Sequence, residues 1–138
     1  MLRVETKGRA RALQILYAWE LQGGSRPIPA VVSGVAHLTG PGPQILDRAE
    51  ELASGVVDDI DTLDAEIAQA AENWRMSRIA VVERNILRLG IHELRRREVP
   101  PKVAIDEAVQ LAHWFGGARA PGFVNGILDG VAHSLGRL

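Results

Sequence analysis

Three cations near the start of the chain, Lys7, Arg9 and Arg11, point most directly to a chemical function. Lys7 and Arg11 are four residues apart and would share one face of a helix, whereas Arg9 would lie about 160° away around its axis. If the first turn is frayed, these side chains and Arg3 can reach one phosphate backbone. Charge alone favours a solvated helix surface, which basic clusters often form, and contact with nucleic acid is the alternative.

Aromatic residues follow these cations and could bind a partner or a base. Trp19 lies on the apolar stripe of its segment and is expected in the core, whereas Tyr17 lies off that stripe, where an amphipathic ring suits an interface. Phe123 opens the last apolar segment, directly after the glycine-rich stretch 116–122. A ring at such a boundary could stack on a base, and a core position is the equal alternative.

A second group of cations lies close together in one apolar segment and consists of Arg84, Arg88, Arg95, Arg96 and Arg97. Glu83 and Glu93 in the same segment can pair with these cations along one helix. A solvated surface with internal ion pairs is therefore the stronger interpretation of this group.

Patterns for catalysis or metal binding are absent from the sequence. The stretch 92–96 begins like the zinc-protease motif, but its fifth residue is Arg96, so the second imidazole is missing. The histidines lie in different segments without ligand spacing, at His37, His92, His113 and His133. There is no cysteine, no phosphate-binding loop, no nucleophile elbow, and no calcium-loop pattern around the acidic stretch 58–61. We predict no catalytic residue, no metal and no cofactor.

Composition is that of an ordinary globular domain. The 138 residues are 46% apolar and 24% charged, and we expect one domain over residues 1–138. Net charge is −1, yet residues 1–26 and 75–102 are basic and 47–66 acidic, so a local patch can attract nucleic acid. No signal-like start or membrane-length apolar run is present, and we expect a cytoplasmic protein.

The spacing of apolar residues is helical nearly throughout and predicts an all-α fold with about six or seven helices. The predicted segments, separated by glycine and proline, are 5–21, 27–41, 45–70 (one long helix or two consecutive ones), 77–97, 101–115 and 120–135. The segment 77–97 is apolar around much of its circumference and should be the most buried. Gly90, Gly126 and Gly130 predict close helix approach, which would offset the cost of glycine within a helix.

Short motifs are spread along most of the chain. They are Arg9-x-x-Ala12-x-Gln14-x-Leu16-Tyr17, Leu52-Ala-Ser-Gly55-Val56, Leu63-Asp64, Ile86-Leu-Arg-Leu89, Glu93-Leu94, Val99-Pro100, Val103-Ala-Ile-Asp-Glu-Ala108, Leu111-Ala112 and Phe123-Val-Asn-Gly-Ile-Leu-Asp129. In their order and spacing, these motifs together resemble the NusB family of bacterial transcription antitermination factors. These motifs cover the region between residues 23 and 48 least.

The resemblance implies an all-helical fold of two small bundles and a protein without enzymatic activity. The family pairs with NusE, which is also a protein of the small ribosomal subunit, and acts on the transcription elongation complex. The pair binds boxA-type single-stranded RNA in nascent ribosomal transcripts. Carried over to this sequence, the RNA-binding residues are Lys7, Arg9, Arg11, Arg119 and Phe123, and the NusE-facing residues are Tyr17 and Glu83.

Two other functions are compatible with the sequence. A NusB-like domain precedes the catalytic domain of some ribosomal-RNA cytosine methyltransferases as an RNA-binding accessory. The lack of a cofactor-binding domain argues against this function, as does Asp129, where the methyltransferase-linked version often has arginine. Alternatively, a regulatory relative with weak RNA affinity would act by homodimerisation or by competing for NusE, which fits the short basic run at the N-terminus.

Overall fold

The computed structural model describes residues 3–39, 42–72 and 75–138. Within these ranges it contains seven α-helices, one short 3-10 helix (Met76–Arg78) and no strand. The α-helices are Val4–Leu21 (α1), Ile28–Thr39 (α2), Pro43–Asp58 (α3), Ile60–Ala70 (α4), Val81–Arg96 (α5), Pro101–Phe115 (α6) and Ala120–Ser134 (α7). The all-α prediction is confirmed, and the segment 45–70 is two helices that meet at Asp59.

The chain divides into two compact units, Met1–Asp58 and Asp59–Leu138. Unit 1 contains α1 to α3, and unit 2 contains the 3-10 helix and α4 to α7. The two small bundles implied by the family resemblance are therefore present. That residues 1–138 form one domain stays a prediction. None of the helices in the described ranges has the length and apolar character needed to cross a membrane.

Unit 1 is built on the contact between α1 and α3. The buried apolar side chains of these two helices are Ala12, Leu13, Ile15, Leu16, Trp19, Ala49, Leu52, Ala53 and Val56. Trp19 is only 7% exposed, which confirms its predicted place in the core. Gly8 lies where the helices approach closely, since a Cβ atom there would be 2.9 Å from Cγ of Arg48.

Unit 2 is organised around α5, which contacts α4, α6 and α7. Ten consecutive residues of this helix, from Asn85 to Leu94, are buried, so the prediction that this segment is the most buried is confirmed. The helix ends at Arg96 and is followed by Arg97, whose φ of 63° is left-handed. Arg137 donates hydrogen bonds to the carbonyl oxygen of Leu94, in the last turn of α5, and to that of Val99, which follows the helix.

Two arginines of α5, the buried Arg88 and the exposed Arg95, pair with groups on α4. The Arg88 guanidinium donates to both carboxylate oxygens of Asp64 on α4, at 2.7 and 2.8 Å, and to Oδ1 of Asn85 at 2.9 Å. Arg95 pairs with Glu66, also on α4. The side chains of these two arginines therefore reach across the contact between α4 and α5, in addition to the hydrogen bond that Arg88 makes within its own helix.

Glycine has different roles at the three helical positions considered above. At Gly90 a Cβ atom would be 2.7 Å from Cδ1 of Leu128, so α5 and α7 approach closely there, as predicted. At Gly126 and Gly130 a Cβ atom would meet nothing within 4 Å. The prediction of close helix approach is therefore wrong for these two glycines.

We expect Gly90→Ala to destabilise unit 2. The added methyl group overpacks Leu128, which is fully buried, and overpacking costs about 1–3 kcal/mol. The higher helix propensity of alanine offsets about 0.5–1 kcal/mol of this destabilisation. Urea denaturation measures the difference, with Gly130→Ala as the matched control that should gain about 0.5–1 kcal/mol. Equal gains in both variants would show that Leu128 moves aside freely.

Candidate nucleic-acid interface

The predicted basic residues of α1 have different environments within unit 1. Lys7 is exposed, and Arg11 is half-buried and donates a hydrogen bond to Oε1 of Gln14 at 2.9 Å. Arg9 is only 5% exposed and interacts within the protein. The helical offset of Arg9 from Lys7 and Arg11 explains this difference, because it directs Arg9 toward the packed side of α1.

The same helix carries an exposed apolar pair near its end. Tyr17 is 41% exposed and Leu21 is 66% exposed, and the four-residue spacing places them on one face. Tyr17 is therefore accessible to a partner, as its position off the apolar stripe suggested.

In unit 2, the start of α7 and the start of α5 enclose a surface cavity of about 300 Å³. We call this the first cavity, and its lining residues are Arg78, Ile79, Ala80, Glu83, Arg119, Ala120 and Phe123. Arg119 and Phe123, both predicted to bind RNA, thus lie together with Glu83, which was predicted to face NusE. Lys7, Arg9, Arg11 and Tyr17 belong to the other unit.

The ends of the helices position the residues around the first cavity. Arg119 is the residue before α7, and Phe123 lies one turn into that helix. Glu83, in the first turn of α5, accepts a hydrogen bond from the backbone N–H of Gly117 at 3.2 Å. Arg84 donates to the carbonyl oxygens of Met76 and Ile79. These bonds tie the α6–α7 loop and the 3-10 helix to α5.

The first cavity combines the side chains that single-stranded nucleic acids require. Arg78 and Arg119 are exposed and can contact phosphate, while the half-buried ring of Phe123 offers a surface for stacking a base. Arg78 belongs to none of the motifs and was not among the residues predicted to bind RNA. The available signal was the cation-containing stretch 75–78 directly before the central helix, but only the fold brings it beside Phe123.

The histidines considered as metal ligands differ in their exposure to solvent. Of the histidines, His92 is buried, and His113 and His133 are exposed, while the side chain of His37 lies outside the described part of the protein. Across residues 3–39, 42–72 and 75–138, no group of three histidine, aspartate or glutamate side chains could hold a metal ion.

We expect Arg9→Ala to lower the stability of the free protein. Its buried aliphatic stem and guanidinium belong to the packing of unit 1, and losses of this kind cost about 0.5–3 kcal/mol. Lys7→Ala, two residues away and exposed, should change stability by less than about 0.5 kcal/mol. Chemical denaturation in the absence of RNA measures the free energy of unfolding of both variants. Wild-type stability of Arg9→Ala would show that the burial of Arg9 does not stabilise unit 1.

Comparison with known proteins connects this arrangement to a family. The NusB family model matches residues 6–133. The chain is 45% identical to the transcription antitermination protein NusB of Sorangium cellulosum, over 95% of this chain and 93% of that protein. Identity to the Myxococcus xanthus protein of the same name is 39%, over 94% and 95%. A chain in the crystal structure of antitermination factors NusB and NusE in complex with dsRNA has a similar fold, with a TM-score of 0.85, 26% identity, and coverage of 97% of this chain and 99% of that chain. The protein therefore belongs to the NusB family.

Proposed function

We propose that this protein is a transcription antitermination factor that binds boxA-type single-stranded RNA of ribosomal transcripts together with NusE. The observation that carries the proposal is the first cavity, where Arg78, Arg119 and Phe123 lie together in a chain of the NusB family. Its curated relatives are named as transcription antitermination proteins. We also infer that its function is recognition without catalysis and that it acts in the cytoplasm.

The character of the first cavity favours RNA that is single-stranded at the point of contact. A base in a duplex is paired and stacked, whereas a base in a single strand can turn outward and stack on an aromatic ring. Arg78 and Arg119 would hold the phosphates on either side of a base stacked on Phe123. Lys7 and Arg11 would add phosphate contacts from unit 1, with Arg9 contributing through the packing of α1.

NusE is the proposed protein partner, and a crystal structure with a chain of this fold contains NusB, NusE and dsRNA. Tyr17 and Glu83 are the residues that we propose face NusE. Tyr17 is exposed on α1, while Glu83 already accepts the hydrogen bond from Gly117 and so holds the α6–α7 loop. When NusE and this protein bind one RNA together, each tethers the strand for the other, and two weak contacts become one stronger complex.

The proposal predicts cooperative RNA binding. A fluorescently labelled boxA-type RNA is titrated with this protein, with NusE and with both, in single-stranded and duplex form. The single strand should bind more tightly when both proteins are present than the separate affinities predict. Absence of this gain, together with equal binding of the duplex, would contradict the proposal.

Salt dependence tests the arginine beside Phe123. Arg119→Ala should make the log–log dependence of affinity on salt shallower by roughly 0.7, the value for one phosphate contact to a single strand. Arg119 makes no side-chain capping bond to α7, so the fold should persist. Lys102→Ala is the matched control, since Lys102 is an exposed cation outside the first cavity. An unchanged slope for Arg119→Ala would remove Arg119 from the interface.

A further inference from the structure

The residue directly after α5 has a backbone conformation that is unfavourable for its type. Arg97 has a φ of 63° and a ψ of 18°, and it is the only non-glycine residue with a positive φ in the described parts of the chain. Glycine is the usual residue at this position after a helix, because it has no Cβ atom to clash with the backbone. An arginine there indicates that its side chain has a use that glycine could not supply.

Arg97 lines a surface cavity of about 350 Å³ in unit 2, which we call the second cavity. The other residues around it are Asp59, His92, Leu94, Arg95, Arg96 and Leu135. His92 is buried, whereas the arginines and Asp59 are exposed. The wall of the second cavity is more polar than apolar, and arginine is its commonest residue. Its chemistry is therefore suited to an anion.

The three arginines of the second cavity differ in how their charges are balanced. Arg95 pairs with Glu66 of α4, and Arg96 pairs with the glutamate two residues further along the chain. Arg97 instead donates one hydrogen bond, to the carbonyl oxygen of Leu135 at 3.3 Å. This acceptor is uncharged, and no carboxylate pairs with Arg97 among the residues that the structure describes. The positive charge of Arg97 therefore remains free to meet an anion.

The guanidinium of Arg97 has the geometry to bind a phosphate group. It carries five N–H donors in a planar arrangement that fits two phosphate oxygens, and its bond to a carbonyl oxygen uses one of them. The carbonyl end of a helix disfavours an anion, but Arg137 donates to the carbonyl oxygens of Leu94 and Val99 at this end of α5. Asp59 also lies in the lining and opposes an anion, so binding needs direct contact with Arg97.

The two cavities lie at opposite ends of α5. Glu83, in the first turn, lines the first cavity, whereas Leu94 and the arginines that follow it line the second. The 16 residues of α5 rise about 24 Å, at about 1.5 Å per residue. A phosphate bound by Arg97 is therefore too far away to adjoin a base stacked on Phe123. It must belong to nucleotides further along the strand.

We propose that the second cavity is a phosphate-binding site, in which Arg97 binds the backbone of the RNA outside the segment that contacts the first cavity. This inference rests on the proposed RNA-binding function. It adds a contact with nucleotides that flank the boxA-type segment. It also explains why an arginine occupies a backbone conformation that favours glycine.

Arg97→Gly tests the inference, because it removes the guanidinium and supplies the residue that the backbone favours. Affinity is measured with NusE present over a range of salt concentrations, for a labelled boxA-type RNA and for the same RNA with single-stranded extensions on both sides. For the extended RNA, the log–log dependence on salt should become shallower by roughly 0.7, the value for one phosphate contact to a single strand. The RNA without extensions should keep the wild-type slope. Lys102→Ala is the matched control and should leave both slopes unchanged, since Lys102 is an exposed cation that lines neither cavity.

Thermal denaturation without RNA separates this role from a structural one. Arg97→Gly should melt at the wild-type temperature or roughly 2–4 °C above it, because glycine suits a left-handed backbone. An arginine that served only to hold the carbonyl group of Leu135 would stabilise the fold and have no effect on RNA binding. If Arg97→Gly does not fold, Arg97→Asn replaces it, since asparagine also tolerates this backbone conformation. It should show the same change in salt dependence.

The possible results separate the inference from the function on which it rests. A wild-type slope for the Arg97 variant on the extended RNA would overturn the phosphate site and leave the proposed function standing. An equal decrease on both RNAs would overturn the assignment to flanking nucleotides. If inorganic phosphate raises the melting temperature of the wild type alone, while both proteins bind the extended RNA equally, the second cavity binds a free anion and the assignment to RNA is wrong. No binding of either RNA by the wild-type protein with NusE would overturn the proposed function, and the inference with it.

Discussion

Complete burial of the middle of α5 is the constraint on which unit 2 depends. From Asn85 to Leu94 the helix has no face toward solvent, so a charged side chain there needs partners within the protein. Arg88 makes a bidentate ion pair with Asp64 and a hydrogen bond to Asn85. A buried cation without such partners would be strongly destabilising, so Arg88 fixes how α4 lies against α5.

Close packing around the same helix also determines where a ligand can bind. Gly90 allows Leu128 of α7 to lie against the backbone of α5, so these two helices pack closely there. The first cavity lies at the surface, where α5 and α7 begin. Glu83 and Gly117 are joined there by a hydrogen bond, and Phe123 lies beside them on α7. The candidate site is therefore built from helix ends on a rigid core.

The sequence was informative about the helices because each one buries an apolar stripe that repeats with the helical period. It was less informative about polar side chains. Lys7 and Arg9 were both candidates for phosphate contact, yet Arg9 is buried and Lys7 is exposed. Glycines at positions 90 and 126 also look equivalent, yet only Gly90 lies against another helix. Such differences depend on which faces of two helices meet.

By itself, the sequence determined the all-α class, the position of most helix ends, the central place of α5, and the family, because periodicity, Pro–Gly punctuation and ordered motifs are properties of the chain itself. Only the tertiary structure decided that Arg78 lies beside Arg119 and Phe123, and that Arg88 pairs with Asp64. These contacts join residues about 24 to 45 positions apart, and chain spacing alone cannot specify them, since they arise when separate helices pack together.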